Sequence, residues 1–317
     1  MSDYTLLVPL VAICIILSSM YKNIGMKRQE RTHCDIDKYI NENGIIKNRN
    51  APIMWIYMTS DIYANDWDEF GSIVNDKNVQ PYISLCIKSI IAKCQDDFNI
   101  VLVNDSSLPK IIPDWETDMN KIPDPLKGKV RDIATTKILY LYGGLFVPPS
   151  LLCMKSLIEP YNNAIINHNI LVGELSNKNI MSHYMDFSPS FSLIGCEKEN
   201  QTMLHLKNSL DDLSSDYTSE SLFNEKIQKL MINIFKSNNI SVLDAERIGL
   251  KDSEGYMVTV DRLLGTNYIP FDRSIYGVYI PMNDISTKKM YRWFSKISVD
   301  DIILSKTIIG ELVRYNI

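Results

Sequence analysis

The sequence predicts a single α/β domain of the doubly wound, Rossmann-like kind, with a mostly parallel sheet, preceded by one N-terminal transmembrane helix. Three observations support this prediction: short apolar runs typical of buried strands, apolar stripes at helical spacing between them, and an uncharged apolar segment near the start of the chain. The predicted division is a membrane anchor at residues 1–25, a polar linker at residues 26–50 and one folded domain at residues 51–317.

The predicted anchor rests on residues 4–21, which contain no charged side chain and are flanked by Tyr4 and Tyr21. A bilayer span needs about 20 apolar residues, and aromatic residues often lie at its two interfaces. A cleaved signal peptide and a buried helix are the alternatives, but only Asp3 precedes the run and no A-x-A pattern follows it. Basic residues after the run favour a body on the cytoplasmic side of the membrane: Lys22, Lys27, Arg28 and Arg31.

Charge and cysteine content narrow the class of protein. The formal net charge is −5 and the sequence pI is about 5.5, which argues against a nucleic-acid partner, because such proteins usually carry a basic face. The six cysteines include no C-x-x-C pair, and no histidine lies at zinc-like spacing from them. We therefore predict buried free thiols rather than a disulfide framework or a zinc site, in agreement with a reducing compartment.

The first half of the predicted domain alternates strand and helix signals. Residues 52–57 and 98–103 are short apolar runs typical of buried strands, and residues 104–107, Asn-Asp-Ser-Ser, have turn chemistry. Between the two runs, apolar side chains at helical spacing predict a helix over residues 79–94. The buried stripe of this helix consists of Ile83, Cys86, Ile87, Ile90 and Cys94.

The central segment predicts a longer helix over residues 126–142. Gly143 and Gly144 follow it, and glycine is the usual residue just past a helix end because it tolerates a positive φ. A short buried strand is predicted next at residues 145–147, and two prolines end it. The buried stripe of the helix consists of Val130, Ile133, Ala134, Ile138 and Leu141.

Later segments continue the alternation, which predicts a mostly parallel sheet. Further strands are predicted at residues 169–173 and 240–243, and further helices at residues 199–213 and 221–237. Near the C-terminus we predict an antiparallel hairpin over residues 268–280 and a short helix over residues 284–297.

Ligands of open α/β sheets bind beyond the carboxyl ends of the strands. Three such predicted ends lie at residues 55–57, 104–105 and 147–150, and the third offers no acid. Trp55 or Tyr57 could stack on a nucleobase, and Asp105 could hold a ribose or help to coordinate a metal. Each has an alternative, since the aromatics also suit a core and residues 104–105 also suit a turn. The sequence contains no P-loop, no G-x-G-x-x-G and no G-x-S-x-G motif.

Residues 131–146, RDIATTKILYLYGGLF, resemble the core motif of the DxD-containing sugar transferases related to capsular polysaccharide synthesis proteins. That motif runs Ser-Asp-x-x-Arg, then Leu-Tyr-x-Tyr-Gly-Gly, then an aspartate four residues past the second glycine. Other segments are similar to the same family in the same order: residues 52–57, 82–90, 101–105 and 189–195.

The resemblance implies a domain of the GT-A type that transfers a sugar from a nucleotide donor to an acceptor hydroxyl. Asp132 matches the helix aspartate that contacts the nucleotide, and the helix end at residues 142–144 matches the part that shapes the pocket. The predicted nucleotide-sugar-binding residues are therefore Trp55, Tyr57, Asp105, Asp132, Tyr142, Gly143 and Gly144.

The sequence departs from the family motif at the groups that compensate the donor's phosphate charge. Thr135 occupies the position of the motif arginine, Pro148 that of the metal-binding aspartate, and Ser150 that of the second acidic residue. Mg²⁺ and Mn²⁺ prefer carboxylate oxygens, which neither Pro148 nor Ser150 offers. We therefore predict no metal ligands and no metal cofactor, although the family uses Mn²⁺ or Mg²⁺. Arg131, Lys137 and the basic segment at residues 286–296 are the candidate replacements.

Two main functional hypotheses follow. One is a membrane-anchored glycosyltransferase-like protein with the metal site lost, whose activity would be metal-independent and whose partners are a nucleotide sugar and a glycan acceptor. The other is an inactive pseudo-glycosyltransferase that serves as a scaffold with protein partners at a membrane, for example within a large DNA virus particle. A lectin-like module that binds glycan without turnover is a third hypothesis. No catalytic residue can be nominated.

Overall fold

The computed structural model describes residues 44–48, 50–59, 80–174, 190–215 and 239–316, together with short helical pieces between residues 225 and 234. The predicted anchor at residues 4–21 lies outside these ranges. Within them, no helix has both the length and the apolar character needed to cross a membrane.

The described strands build a seven-stranded sheet in the order β1-β3-β2-β4-β7-β6-β8 and a separate two-stranded ladder of β5 and β9. The strands are β1 (Gly44–Ile45), β2 (Ile53–Tyr57), β3 (Asn99–Val103), β4 (Gly144–Val147), β5 (Leu151–Cys153), β6 (Ile170–Gly173), β7 (Ser190–Cys196), β8 (Ile240–Leu243) and β9 (Gly277–Tyr279). The predicted strands of the large sheet are confirmed in type and position.

The large sheet is mixed, so the prediction of a mostly parallel sheet is wrong in part. Strand β7 runs antiparallel to both of its neighbours, β4 and β6, and β1 runs antiparallel to β3 at the edge. The pairs β2–β3, β2–β4 and β6–β8 are parallel. Strands β2, β3, β4, β6 and β8 therefore share one direction, and their carboxyl ends lie along the same edge of the sheet.

Helices cover both faces of the sheet. They are α1 (Pro81–Cys94), α2 (Leu108–Ile111), α3 (Asp124–Tyr142), α4 (Ile158–Ile166), α5 (Gln201–Ser215), α6 (Val260–Leu264), α7 (Met282–Thr287), α8 (Val299–Leu304) and α9 (Ile308–Asn316). Strand side chains alternate between the faces: Met54 and Ile56 of β2 enter one core with α1, whereas Trp55 enters the other core with α3 and α5. The chain is thus an α/β protein with a sheet between two helical layers.

Three segments differ from the predictions. No hairpin forms over residues 268–280; instead β9 pairs antiparallel with β5, a strand that was not predicted. The predicted helix over residues 284–297 is confined to α7, and turns follow it over residues 289–296. Strand β1 lies inside the predicted linker and pairs with β3, so the folded part of the chain includes Gly44 and Ile45.

Candidate functional site

The carboxyl ends of β2 and β3 bring Tyr57, Asp105 and Arg131 together. The Arg131 guanidinium donates from Nε and Nη2 to the two carboxylate oxygens of Asp105, at 2.9 and 2.7 Å. The Tyr57 hydroxyl donates to Oδ1 of the same carboxylate at 2.7 Å, and Arg131 lies 5.9 Å from the centre of the Tyr57 ring. The sequence predicts Tyr57 and Asp105 in the site but not their contact with Arg131, because 26 residues separate Asp105 from Arg131 and no short motif spans that distance.

The Asp105 turn is held by local hydrogen bonds. The Asn104 side chain accepts from the Ser107 amide at 3.0 Å, and the Ser107 hydroxyl accepts from the Asn104 amide at 3.0 Å. This reciprocal cap fixes the short helical turn of residues 105–107, as the turn chemistry of the sequence indicated. The cap therefore holds the Asp105 backbone at the end of β3, beside Tyr57.

Burial and hydrogen bonding have opposite effects on the pKa of Asp105. Burial acts to raise the pKa of Asp105, but the hydrogen bonds from Arg131 and Tyr57 outweigh it, so the pKa lies below its ordinary value. The pKa of Tyr57 is raised, first by burial and then by its bond to the Asp105 carboxylate. The Tyr57 hydroxyl is therefore a protonated donor and Asp105 an ionised acceptor with three bonds already made.

Asp132, the next residue along α3, has a different environment. Within the described part of the chain, no hydrogen bond or ion pair reaches its carboxylate. Burial raises the pKa of Asp132 to about 7, although the charge of Arg131 acts to lower it. A half-buried carboxyl group without a partner is available to a ligand that donates a hydrogen bond.

We expect replacement of Asp132 by asparagine to stabilise the protein at pH 8 but not at pH 4. Between the ordinary carboxyl pKa and about 7, the folded state holds a proton that the unfolded chain has released. Wild-type stability therefore falls as pH rises through this window, by up to about 4 kcal/mol for a pKa that lies about three above its ordinary value. Because Asp132 is only half-buried, solvent screens part of this effect, and the variant should gain on the order of 2 kcal/mol over wild type at pH 8. Urea unfolding at the two pH values measures the difference.

Asp300→Asn is the control, because Asp300 is exposed in α8. The difference in stability between Asp300→Asn and wild type should vary much less between the two pH values than that of Asp132→Asn, because solvent screens an exposed side chain. A pH-independent difference for Asp132→Asn as well would show that the carboxyl group is not perturbed in the folded state.

Trp55 is a core residue in this structure. Its side chain is fully buried, stacks against Phe146 at 6.1 Å and donates from Nε1 to the Gly143 carbonyl oxygen at 2.9 Å. A nucleobase cannot reach the indole ring without repacking of this core, so stacking by Trp55 does not fit the structure. Trp55 lies two residues before the end of β2, and the alternation of side chains along the strand directs it to the face of the sheet that α3 covers.

The glycines after α3 have structural roles. Gly143 ends the helix with φ 68°, and a Cβ there would lie 2.6 Å from the Lys198 amide nitrogen. Gly144 has φ 100°, and a Cβ there would lie 2.2 Å from the Ile53 carbonyl oxygen. The half-buried Tyr142 donates from its hydroxyl to the Ile111 carbonyl oxygen at 2.6 Å. These contacts fix the end of α3 and allow β4 to enter the sheet between β2 and β7.

The two positions where the family motif has acidic residues lie inside the core. Pro148 is buried and Ser150 is 1% exposed. The Ser150 carbonyl oxygen accepts from the Ile280 amide at 3.0 Å, so the chain continues from β4 directly into the β5–β9 ladder. Within the described ranges, no group of three or more metal-ligating side chains occurs.

The candidate replacement cations are differently placed. Lys137 pairs with Asp211 of α5 at 3.1 Å and lies over the Trp115 ring, so it is engaged on the helical layer. In the segment at residues 286–296, the buried Tyr291 and Phe294 anchor the turns, and Lys289 and Arg292 are exposed. Only Arg131 lies in the described cluster at the carboxyl ends of β2 and β3.

Comparison of the chain with models of known protein families gives no match, and comparison with curated proteins gives none either.

Proposed function

We propose that this chain is a membrane-anchored, glycosyltransferase-like protein that has lost metal-dependent sugar transfer and serves as a structural part of an assembly at a membrane. The apolar segment at residues 4–21 supports the proposed anchor, and the motif at residues 131–146 supports the likeness to sugar transferases. The burial of Pro148 and Ser150 and the hydrogen bonds of Asp105 support the proposed loss of catalysis.

The observation that supports the loss most directly is the burial of Pro148 and Ser150. In metal-assisted transfer a divalent cation stabilises the departing diphosphate, and its ligands must face the substrate. Here the corresponding positions have no carboxylate and are buried, and the Ser150 carbonyl oxygen accepts a hydrogen bond from the Ile280 amide. An acidic side chain restored at Ser150 would enter the core instead of a substrate pocket.

The engagement of Asp105 gives independent support. Its two carboxylate oxygens accept three hydrogen bonds from Arg131 and Tyr57. A ribose or metal at Asp105 would have to break the two hydrogen bonds that the carboxylate accepts from the partly buried Arg131 guanidinium. The pair therefore stabilises the end of the sheet at the expense of ligand binding.

Asp132 favours a second candidate function, a metal-independent transferase or nucleotide-binding protein. Its carboxyl group has no partner in the described ranges and matches the family position that contacts the nucleotide. A ribose hydroxyl or a base N–H could donate to it, with the neighbouring Arg131 near the phosphates. This candidate predicts nucleotide binding without metal, which the first does not.

A thermal-shift measurement on the full chain in detergent, against a panel of nucleotide sugars with and without Mn²⁺, distinguishes the candidates. We expect no ligand in the panel to change the melting temperature under either condition. A ligand at about a hundred times its Kd contributes about 2.7 kcal/mol of stability, which a melting curve resolves. The Asp132→Asn variant is the matched control for any shift that appears.

Each other outcome selects a different function. A shift by one nucleotide sugar without Mn²⁺, lost in Asp132→Asn, would replace the scaffold proposal with the metal-independent candidate. A shift that requires Mn²⁺ would contradict the loss of the metal site. A shift by free glycans alone would indicate a lectin-like module.

A further inference from the structure

Two cysteines that are far apart in sequence lie close together in the core between α1 and the sheet. Cys94 is the last residue of α1 and Cys153 the last residue of β5. Their sulfur atoms lie 3.8 Å apart, and both side chains are fully buried. A disulfide has an S–S distance of about 2.05 Å, so the sulfur atoms need to move by less than about 2 Å to bond.

The backbone around this pair is held by a third side chain. Ser89 lies in α1, and its hydroxyl accepts from the Cys153 amide at 2.8 Å while it donates to the Cys86 carbonyl oxygen at 2.6 Å. These bonds connect α1 to β5 next to the two thiols. The approach of the sulfur atoms is therefore built into the contact between a helix and a strand and does not depend on a loose loop.

The two thiols are not equivalent. The pKa of Cys94 is lowered, chiefly by its pairing with the Cys153 thiol, against the opposing effect of burial. The pKa of Cys153 is raised, first by the same pairing and then by burial. Cys94 is thus the thiol that ionises more readily, and thiolates are the nucleophiles in disulfide chemistry.

We propose that Cys94 and Cys153 are an oxidation site and form an intramolecular disulfide when the chain meets a small disulfide oxidant. The Cys94 thiolate attacks one sulfur of the oxidant, which breaks the oxidant's S–S bond and releases one thiolate. The Cys153 thiolate then attacks the Cys94 sulfur of the mixed disulfide and releases the second. Two electrons pass to the oxidant, and the two protons of the protein thiols leave with its products.

Access to the pair requires a small local opening. The Ser156 hydroxyl donates to the Asp97 carboxylate at 2.5 Å, which joins the two chain segments that follow α1 and β5. Asp97 and Ser156 are partly exposed, whereas the two thiols beneath them are not. Separation of this hydrogen-bonded contact is the local opening through which a small oxidant would reach the two thiols.

The crosslink joins the end of α1 to β5 and closes the long loop between them. A loop of this length removes enough entropy from the unfolded chain to raise the melting temperature by on the order of 10 °C. In a reducing compartment the thiols stay free, and on transfer to an oxidising one the protein gains this stability.

The test is treatment of the full chain with oxidised glutathione, followed by alkylation under denaturing conditions and peptide mapping by mass spectrometry. We expect one dominant crosslinked peptide pair, containing Cys94 and Cys153, with Cys86 and Cys196 alkylated. The melting temperature should rise on oxidation and return to its starting value after treatment with dithiothreitol. Cys86→Ser, which changes a buried cysteine outside the pair, should form the same crosslink and show the same rise in melting temperature on oxidation as wild type.

Cys153→Ser should abolish both the crosslink and the oxidation-dependent rise. If that variant fails to fold, peptide mapping of the wild-type protein alone shows whether Cys94 and Cys153 form the crosslink. Alkylation of both Cys94 and Cys153 after oxidation, or crosslinks that join either of them to another cysteine, would overturn the proposal.

Discussion

Replacement of Gly144 by alanine should destabilise the protein by about 3–5 kcal/mol, the largest effect that we expect from a single methyl group. The added Cβ would lie 2.2 Å from the Ile53 carbonyl oxygen and 3.0 Å from Trp55 Nε1, at a φ of 100° that side chains rarely adopt. Neither neighbour can yield, because Ile53 is paired with β3 and Trp55 is fully buried. Urea unfolding followed by tryptophan fluorescence measures the loss.

Gly128→Ala is the matched control for this prediction. Gly128 lies on the exposed side of α3, and nothing lies within 4 Å of the position of an added Cβ. Alanine there should stabilise the protein by about 0.4–1 kcal/mol, since it restricts the unfolded chain and suits a helix. If both variants had wild-type stability, β4 could not approach β2 as closely as described.

Removal of the Asp105 carboxylate should cost about 2 kcal/mol. Asp105→Ala removes the two hydrogen bonds from the Arg131 guanidinium, whose side chain is 16% exposed, and the bond from the Tyr57 hydroxyl. Because Asp105 is itself partly exposed, solvent screens part of the loss, and the cost stays below that of a fully buried pair. A double-mutant cycle with Arg131→Met measures the coupling of the two side chains.

The control for this prediction is the exposed pair of Lys47 and Asp96. These side chains are 48% and 79% exposed, so Asp96→Ala should change stability by less than about 0.5 kcal/mol. The lowered pKa of Asp105 determines how its contribution to the free energy of unfolding depends on pH. The contribution is fully present above the ordinary carboxyl pKa and is lost as pH falls through the pKa of the folded state.

A coupling energy near zero between Asp105 and Arg131 at neutral pH would contradict the described cluster.

The periodic elements of the fold could be predicted because their signals are local. The stripe from Ile83 to Cys94 defined α1, and the two glycines after Tyr142 marked the end of α3 within a residue. Strand direction carries no such signal. An apolar run such as β7 has the same composition in either orientation, so its antiparallel insertion between β4 and β6 could not be inferred.

The candidate site was harder to predict because its contacts are long-range. Trp55 and Tyr57 are near neighbours in one strand, yet the first is enclosed by Phe146 and the second reaches the Asp105 carboxylate. The β5–β9 pairing joins segments that are far apart in sequence, and the hydrogen bond from the Ile280 amide to the buried Ser150 lies beside it. A motif comparison located the positions of Pro148 and Ser150, but only the fold shows that both are buried.

The contact between the two cysteines is also long-range and could not be predicted from the sequence. Helical spacing placed Cys94 on a buried stripe, which is confirmed, and the expectation of free buried thiols holds for the four cysteines in the described ranges. Nothing in the sequence joined Cys94 to Cys153, because one lies in a helix and the other in a strand that was not predicted. The 3.8 Å approach of their sulfur atoms is a property of the tertiary structure.

The most direct test of the proposed function is electron paramagnetic resonance of Mn²⁺ in the presence of the full chain and a nucleoside diphosphate. Free hydrated Mn²⁺ gives a sharp signal that weakens when protein ligands bind the ion. We expect the signal to be the same with and without the protein, since Pro148 and Ser150 are buried and Asp105 is paired with Arg131. A loss of signal in proportion to added protein would show a working metal site and contradict the proposal.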